Sequence, residues 1–540
     1  MSQNNENHLN LRAVSTGIIG AVLISASSFY IALKFSFLYL PTVTVTFLAI
    51  TVLKLLGKKS NSEAVVAHSI MNAGFTVATG VAFTMPGFLI LRGRLATIDK
   101  TLFLITMIVG SFIGTLLSFI LRKEILEERK LEFPMHEASH TIINSKGNEK
   151  NNKILTAGVT ISAVIAFFRD FSFSARKGSA IPEIYSFRNS FWNFYVSPLL
   201  LGLGYILGFA NTFFWFLGGL ITIVVARPLV FYYKYNATHF SSMKNSFIIG
   251  FIIGIGCSLI TKILSIRKKE DSDDTVDIPM LMLVLSFFSV WIISYFYKLP
   301  IFMSIIFMAT CILCSVTASF VTGKTGINPM EIYGIFTIVI IIFFNRLLGG
   351  LKISSGRYLT NLNSTTVFFL VCIAVIICGL TVSLLNDFKL GSKVGMVPWQ
   401  QFVAELIGAI TASFVIWFLF FVFFGFYRNI NSSNELELLK PTLISSFMIS
   451  FPFSHIFWIG GIIGFILNLF KLPVFYIGIG IYSPFSITIP VFVGGIIHFV
   501  CKKISNKFFS DVLVLISGLM TGEALIGILI AIINYIKIFM

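Results

Sequence analysis

The sequence predicts an all-α polytopic membrane protein of about 14 to 16 transmembrane helices, several of them broken or re-entrant. Three observations carry that expectation. Of 540 residues, 56% are hydrophobic and 12% charged, with a mean hydropathy of +0.90, against about 25% charged in an ordinary soluble domain. Apolar runs recur almost without pause from Ala13 to Met540, each near the ~20 residues a helix needs to cross hydrocarbon. These runs are continuous Ile/Phe/Leu blocks, not the alternating segments of about ten residues that build a closed β-barrel.

Taken in chain order, the first twelve residues are polar and lead straight into a span-length apolar run without a small-residue cleavage site. No removable signal peptide is expected. Two basic clusters follow, Lys54, Lys58 and Lys59, then Arg122, Lys123, Arg129 and Lys130. The positive-inside rule places both on the inner face with two spans between them; Arg176, Lys177 and Arg188 fit that scheme poorly. The net charge of +17 is thus a property of short loops and does not call for a nucleic-acid partner. Between the clusters, Ala73 to Gly80 with Pro86 after it is rich in Gly and small polar residues, and it reads as an interrupted span. His68 and Asn72 stand four apart there, on one helical face, as candidate solute contacts.

The stretch from Arg122 to Lys153 is polar and contains His136-Glu137-Ala138-Ser139-His140, a match to H-E-x-x-H. On a helix, that spacing sets two histidines on one face for zinc and a Glu to activate water. The surroundings are a charged loop after Phe133-Pro134 without a spaced third ligand, so an amphipathic interfacial segment is the expected reading. No polar stretch approaches the ~50 residues of a small domain. A charged connection, residues 267–277, divides an N-terminal half (1–266) from a C-terminal half (278–540) of a single transporter-like domain, as repeat-built carriers are divided.

In the second half, Thr322 to Pro329 and Gly478 to Gly495, with Pro484 and Pro490, are again interrupted. Broken helices free backbone groups at membrane depth, which is tolerable where protein or a polar cavity covers them, so these segments mark a candidate solute site around Asn328, Glu331, Tyr482 and Ser486. Lys324 and Glu331 flank the Asn328-Pro329 turn as a candidate ion pair. Intramembrane acids are functional candidates by default. Glu523, deep in the last apolar run, is the leading proton-coupling group; Glu405, two turns after Pro398, is the second. The competing structural reading pairs Glu523 with a buried Lys or Arg.

All six cysteines fall in or beside apolar runs and read as small core residues; the Cys311-x-x-Cys314 pair has no second pair for a metal or redox site. No phosphate-binding G-x-x-x-x-G-K-[ST] loop occurs, which argues against an ATP-driven pump. No cofactor or structural metal is expected.

Five stretches resemble the oligopeptide transporter (OPT) family, in its prokaryotic branch, over nearly the whole chain. They are Asn61–Gly74 continuing through Gly80–Pro86; Leu131-Glu-Phe-Pro134; Thr325-Gly-Ile-Asn-Pro329; Gly480–Gly495; and Gly518-Leu-Met-Thr-Gly-Glu-Ala-Leu525. Departures are His68-Ser69 where many members have Gln-Thr, Met135-His-Glu after Phe-Pro, and Ser483 before Pro484. The resemblance implies a secondary, generally proton-coupled transporter of small peptides or peptide-like metal chelates in the cell membrane. Its partners would be that solute, protons and lipid, with Glu523 as the protonation group and the segments around Asn72, Asn328 and Tyr482 as the solute site. Two readings of other classes stand beside it: an intramembrane zinc protease at 136–140, and a channel or scramblase.

Overall fold

In a computed structural model, the described residues are 9–35, 42–57, 60–92, 98–145, 149–170, 184–186, 193–267, 280–328, 330–349, 362–426, 454–470 and 473–539. They form helices and one small hairpin. The first half contains α1 (Leu11–Phe35), α2 (Thr42–Leu55), α3 (Asn61–Arg92), α4 (Lys100–Arg122), α5 (Met135–Ser145) and α6 (Glu149–Asp170). It continues through the antiparallel strands β1 (Ile184–Ser186) and β2 (Asn193–Tyr195), then α7 (Pro198–Leu207), α8 (Phe209–Leu220), α9 (Arg227–Tyr232) and α10 (Ala237–Arg267). The second half contains α11 (Met280–Tyr297), α12 (Ile301–Thr325), α13 (Met330–Gly349), α14 (Ser364–Val394) and α15 (Pro398–Phe426). It closes with α16 (Ser454–Leu469), α17 (Val474–Tyr482), α18 (Phe485–Ile504) and α19 (Asn506–Phe539).

Among the described residues, eleven helical spans are long and apolar enough to cross a membrane, and five further apolar helices are shorter. The helical, multi-pass class is therefore as the composition dictates. The short ones include α7, and α17 at nine residues is shorter still, which is what an interrupted span looks like once folded. Two of the three interrupted segments are indeed breaks. α12 ends at Thr325 because Gly326 turns left-handed (φ 71°), and α17 ends where Ser483 and Pro484 extend before α18 begins. The third is continuous: α3 runs 32 residues through Gly74, Gly80 and Pro86. Its glycines serve close packing, Gly74 against the α1 backbone at Ala21 and Gly80 against Ile376 of α14.

α14 is the axis of the molecule. Its best span window is wholly buried, because α3, α4, α12, α13 and α15 pack around it. Elsewhere the helices join across the two halves in nested order: α6 with α19, α7 with α18, α8 with α17 and α10 with α16. Each joint is a contact of glycines with backbone. A Cβ on Gly204 of α7 would lie 1.8 Å from the Val491 carbonyl, one on Gly494 of α18 2.0 Å from that of Leu201, and one on Gly480 of α17 2.0 Å from that of Trp215. Small residues that let backbones touch are the usual adhesive between helices in lipid, where no hydrophobic force joins them.

The sequence carries the same reciprocity. Residues 202–221 and 478–497 match at one constant spacing: Gly202 with Gly478, Gly204 with Gly480, Phe209 with Phe485, Thr212 with Thr488, Phe216 with Phe492, and Gly218-Gly219 with Gly494-Gly495. Phe216 and Phe492, equivalent in this register, stack on each other with centroids 4.5 Å apart and planes 11° from parallel. A residue that stacks on its own counterpart marks a local two-fold relation between the α7–α8 and α17–α18 units.

Candidate functional site

The interior around α14 holds scattered hydroxyls, among them Ser118, Ser315 and Thr381, and one denser polar seam with ionisable side chains toward its C-terminal end. His68, two turns into α3, places Nε2 3.2 Å from Oδ1 of Asp387 on α14 and Nδ1 3.0 Å from the Thr46 hydroxyl of α2. Four residues on, Asn72 donates from Nδ2 to Ser383 Oγ (3.0 Å) and to Asp387 Oδ1 (3.2 Å). The i, i+4 spacing thus delivers an imidazole and an amide donor to one carboxylate. From α15, Gln401 donates to the Asp387 backbone carbonyl at 2.6 Å. Glu405, one turn further, lies beside Asp387 and Ser383. His68, Asp387 and Glu405 are all fully buried.

The structure therefore brings His68, Asn72 and Glu405 together, and adds Asp387, Ser383 and Gln401. Asp387 is not evident from sequence because Asn386-Asp387-Phe-Lys389 resembles the polar end of a span, whereas α14 continues to Val394.

Asn328 sits at the α12–α13 break, on another side of the same helix. Its Nδ2 is 3.5 Å from the Cys378 carbonyl of α14, and its Oδ1 is buried without a hydrogen-bond partner. Glu331 is in the first turn of α13, and its side chain lies outside the described residues. The same break gathers the family-like motifs. Phe133 donates its N–H to the Gly323 carbonyl (2.8 Å), Met135 abuts Gly326, and Tyr476 of α17 donates its hydroxyl to the Lys324 carbonyl (2.6 Å).

Tyr482 and Ser486 belong to the second break and do not reach the seam. They flank Ser483, whose hydroxyl is buried and unpartnered, and Lys244 of α10 places Nζ 3.4 Å from the Tyr482 carbonyl. Lys244 is an intramembrane cation that sequence alone does not single out, because it lies near the polar start of α10.

Glu523 is elsewhere again, and well occupied. Its carboxylate accepts from Arg169 Nη1 (2.7 Å), from the Ser197 hydroxyl (2.8 and 3.0 Å) and from the Leu199 N–H (2.8 Å). Arg169 also grips Asp170 with two 2.6 Å bonds and faces the Tyr195 ring. Ser197 and Leu199 stand at the start of α7, so Glu523 meets the positive end of that helix as well as a guanidinium. Glu523 joins α19 to α6 and α7.

The H-E-x-x-H stretch forms α5, seated against α2, α14 and α19 rather than lying free. His136 is buried with Nδ1 2.6 Å from the Phe133 carbonyl and Nε2 3.3 Å from Glu137, and Glu137 pairs with Lys393. The hydrogen bond from His136, with Lys393 beside it, holds the Glu137 carboxyl down at about 2, which makes it a poor base. Burial and the Lys393 charge hold His140 below the usual histidine range. Among the described residues no three His, Cys, Asp or Glu side chains converge to hold a metal ion. Of the cysteines, Cys257 is exposed on α10 and the other five are buried and free.

A helical bundle with polar groups assembled in its membrane interior, two broken spans and half-to-half pairing defines a multi-pass membrane transporter. The sequence pattern described as OPT oligopeptide transporter protein matches residues 8–266 and again 263–534; the chain belongs to that family. A Haemophilus influenzae protein described as "Putative oligopeptide transporter" is similar at 22% identity, with 93% of this chain and 92% of the relative covered.

Proposed function

We propose that the chain is a proton-coupled secondary transporter of the cell membrane that carries small oligopeptides or peptide-like metal chelates, with Glu405 in the coupling role. The observation that carries this reading is the seam itself: a carboxylate pair, an imidazole and an amide buried together deep in the helix bundle. Polar groups at that depth are costly to keep and belong to solute or proton pathways more often than to packing. His68 and Asn72 share the seam with Glu405, which supports a direct link between proton binding and solute contact. Asn328, Glu331, Tyr482 and Ser486 complete the proposed solute contacts, with Lys244 positioned to meet a peptide carboxylate.

Sequence alone ranks Glu523 ahead of Glu405 for coupling. The three donors around Glu523, from Arg169, Ser197 and the Leu199 N–H, hold its carboxylate in a fixed position, which supports an anchoring role instead. The proton-releasing task then falls to Glu405.

The test is uptake of labelled di- to tetrapeptides into proteoliposomes, with and without an inward-directed proton gradient. Saturable accumulation stimulated by the gradient is expected, and Glu405→Gln should abolish the stimulation while leaving exchange of peptide for peptide. Non-saturable, gradient-independent flux would instead support a channel. Gradient-stimulated uptake of a metal chelate without peptide uptake would fix the other solute class.

A further inference from the structure

The seam contains a hydrogen-bonding mismatch that points to a bound proton. Asp387 Oδ1 accepts from Asn72 Nδ2 and lies 3.2 Å from His68 Nε2, but Asp387 Oδ2 and both oxygens of Glu405 are buried without a hydrogen-bond partner. An ionised carboxylate only accepts. Two of them side by side offer each other no donor, and two like charges at close range in a water-poor interior disfavour double ionisation.

On α14 itself Lys389 stands two residues past Asp387, about 200° round the helix, and the charges on the surrounding helices are engaged elsewhere. On α3 the titratable group is His68, already directed at Oδ1. From α4, Arg122 lies over the Phe388 ring 6.0 Å away and pairs with Glu127. From α5, Glu137 pairs with Lys393 near the end of α14. α12 offers Cys311 and Cys314, with Lys324 at its far end beside the Phe475 ring. On α13, Glu331 is the acid near the break. On α15 the polar neighbour is Gln401, which is spent on a backbone carbonyl. From α1, Arg12 is bound to Glu63.

We infer that Asp387 and Glu405 hold a single proton between them, carried by Glu405 and donated to Asp387 Oδ2, with Asp387 kept as the charged member by His68 and Asn72. The assignment follows from the neighbours: Asn72 donates to Asp387 Oδ1 and His68 Nε2 lies against it, whereas Glu405 has only the Ser383 hydroxyl beside it. One proton converts an orphan acceptor into a donor aimed at another orphan acceptor.

In the transport cycle, which rests on the proton-coupled reading above, releasing this proton adds a negative charge beside Asp387. The pair then competes for the His68 and Asn72 side chains that a peptide backbone would otherwise meet.

The test needs neither solute nor gradient. Infrared difference spectra of the purified full-length chain in lipid at neutral pH should show the carbonyl stretch of a buried protonated carboxylic acid. Glu405→Gln, nearly isosteric and still a donor to Asp387, should remove that band. Asp387→Asn should retain it at a shifted frequency, because the acceptor of the acid hydrogen has changed. Absence of the band in the wild type, or a band unchanged in Glu405→Gln, overturns the proposal; should that variant fail to fold, an unmoved band in Asp387→Asn does so. If the band behaves as expected while uptake ignores the gradient, the shared proton stands and proton-coupled transport falls. Gradient-driven uptake without the band leaves the transporter proton-coupled and removes the shared proton.

Discussion

Glu523 and Glu405 are both acids inside apolar runs, and sequence ranks Glu523 first because it is deeper. What separates them is the set of partners each finds. Arg169 lies 354 residues from Glu523, a pairing no spacing rule reveals, although an intramembrane acid always invites the question of a buried cation. Glu523→Ala should strand Arg169, the Ser197 hydroxyl and the Leu199 N–H, and lower stability by about 3 kcal/mol. Asp170 retains its grip on Arg169 and limits the loss. Thermal melting in lipid or detergent reads this directly; a change within the error of the wild type would mean the network does not hold α19 to α7.

Glu137 provides a pH test outside the spans. Its carboxyl sits at about 2 against an ordinary 4.5, so the folded state binds the proton less well than the unfolded state. The stability this contributes is fully present above 4.5 and is lost as pH falls through about 2. The melting temperature of the wild type should therefore exceed that of Glu137→Gln at neutral pH, with the gap closing on acidification. A gap independent of pH would assign the difference to shape rather than to charge. The same residue shows how a motif misleads: H-E-x-x-H describes spacing, whereas zinc chemistry also needs a third ligand and a basic carboxylate.

At the scale of elements, the breaks at Gly326 and Pro484 were legible because each contains a residue that ends a helix by its own backbone: a left-handed glycine in one, a proline in the other. α3 was not, because the same residue types serve two ends. Gly74 and Gly80 are thinned for their neighbours, and only the neighbours tell a thinned helix from a broken one. The joints between helices yield a sharp contrast. Gly494→Ala places a Cβ 2.0 Å from the Leu201 carbonyl, while a Cβ at Gly425 meets nothing within 4 Å. The first should cost about 1 to 3 kcal/mol through separation of α7 from α18; the second, near the end of α15, should be neutral or slightly stabilising, since alanine is the better helix former. Equal melting temperatures for the two variants would refute the backbone contact.

Over the whole molecule, hydropathy and charge made the membrane class legible, since both are sums over residues. The seam was legible in part: His68 and Asn72 by their spacing, Glu405 by its setting, but Asp387 only once α14 was seen to extend past it. The nested pairing was hidden, because it is a relation between helices hundreds of residues apart. That pairing has a consequence for folding. α6, α7, α8 and α10 each find their glycine-lined partner in the other half, and α3 meets α14 and α15 there too. Neither half can bury these faces alone. A chain cut within the charged connection at 267–277 should accordingly give fragments that aggregate or are degraded when made singly. Made together, they should associate, co-purify through a tag on either one, and melt as one unit. Two fragments that each remain monodisperse and helical without the other would show that the half-to-half contacts are secondary, and that each half carries a core of its own.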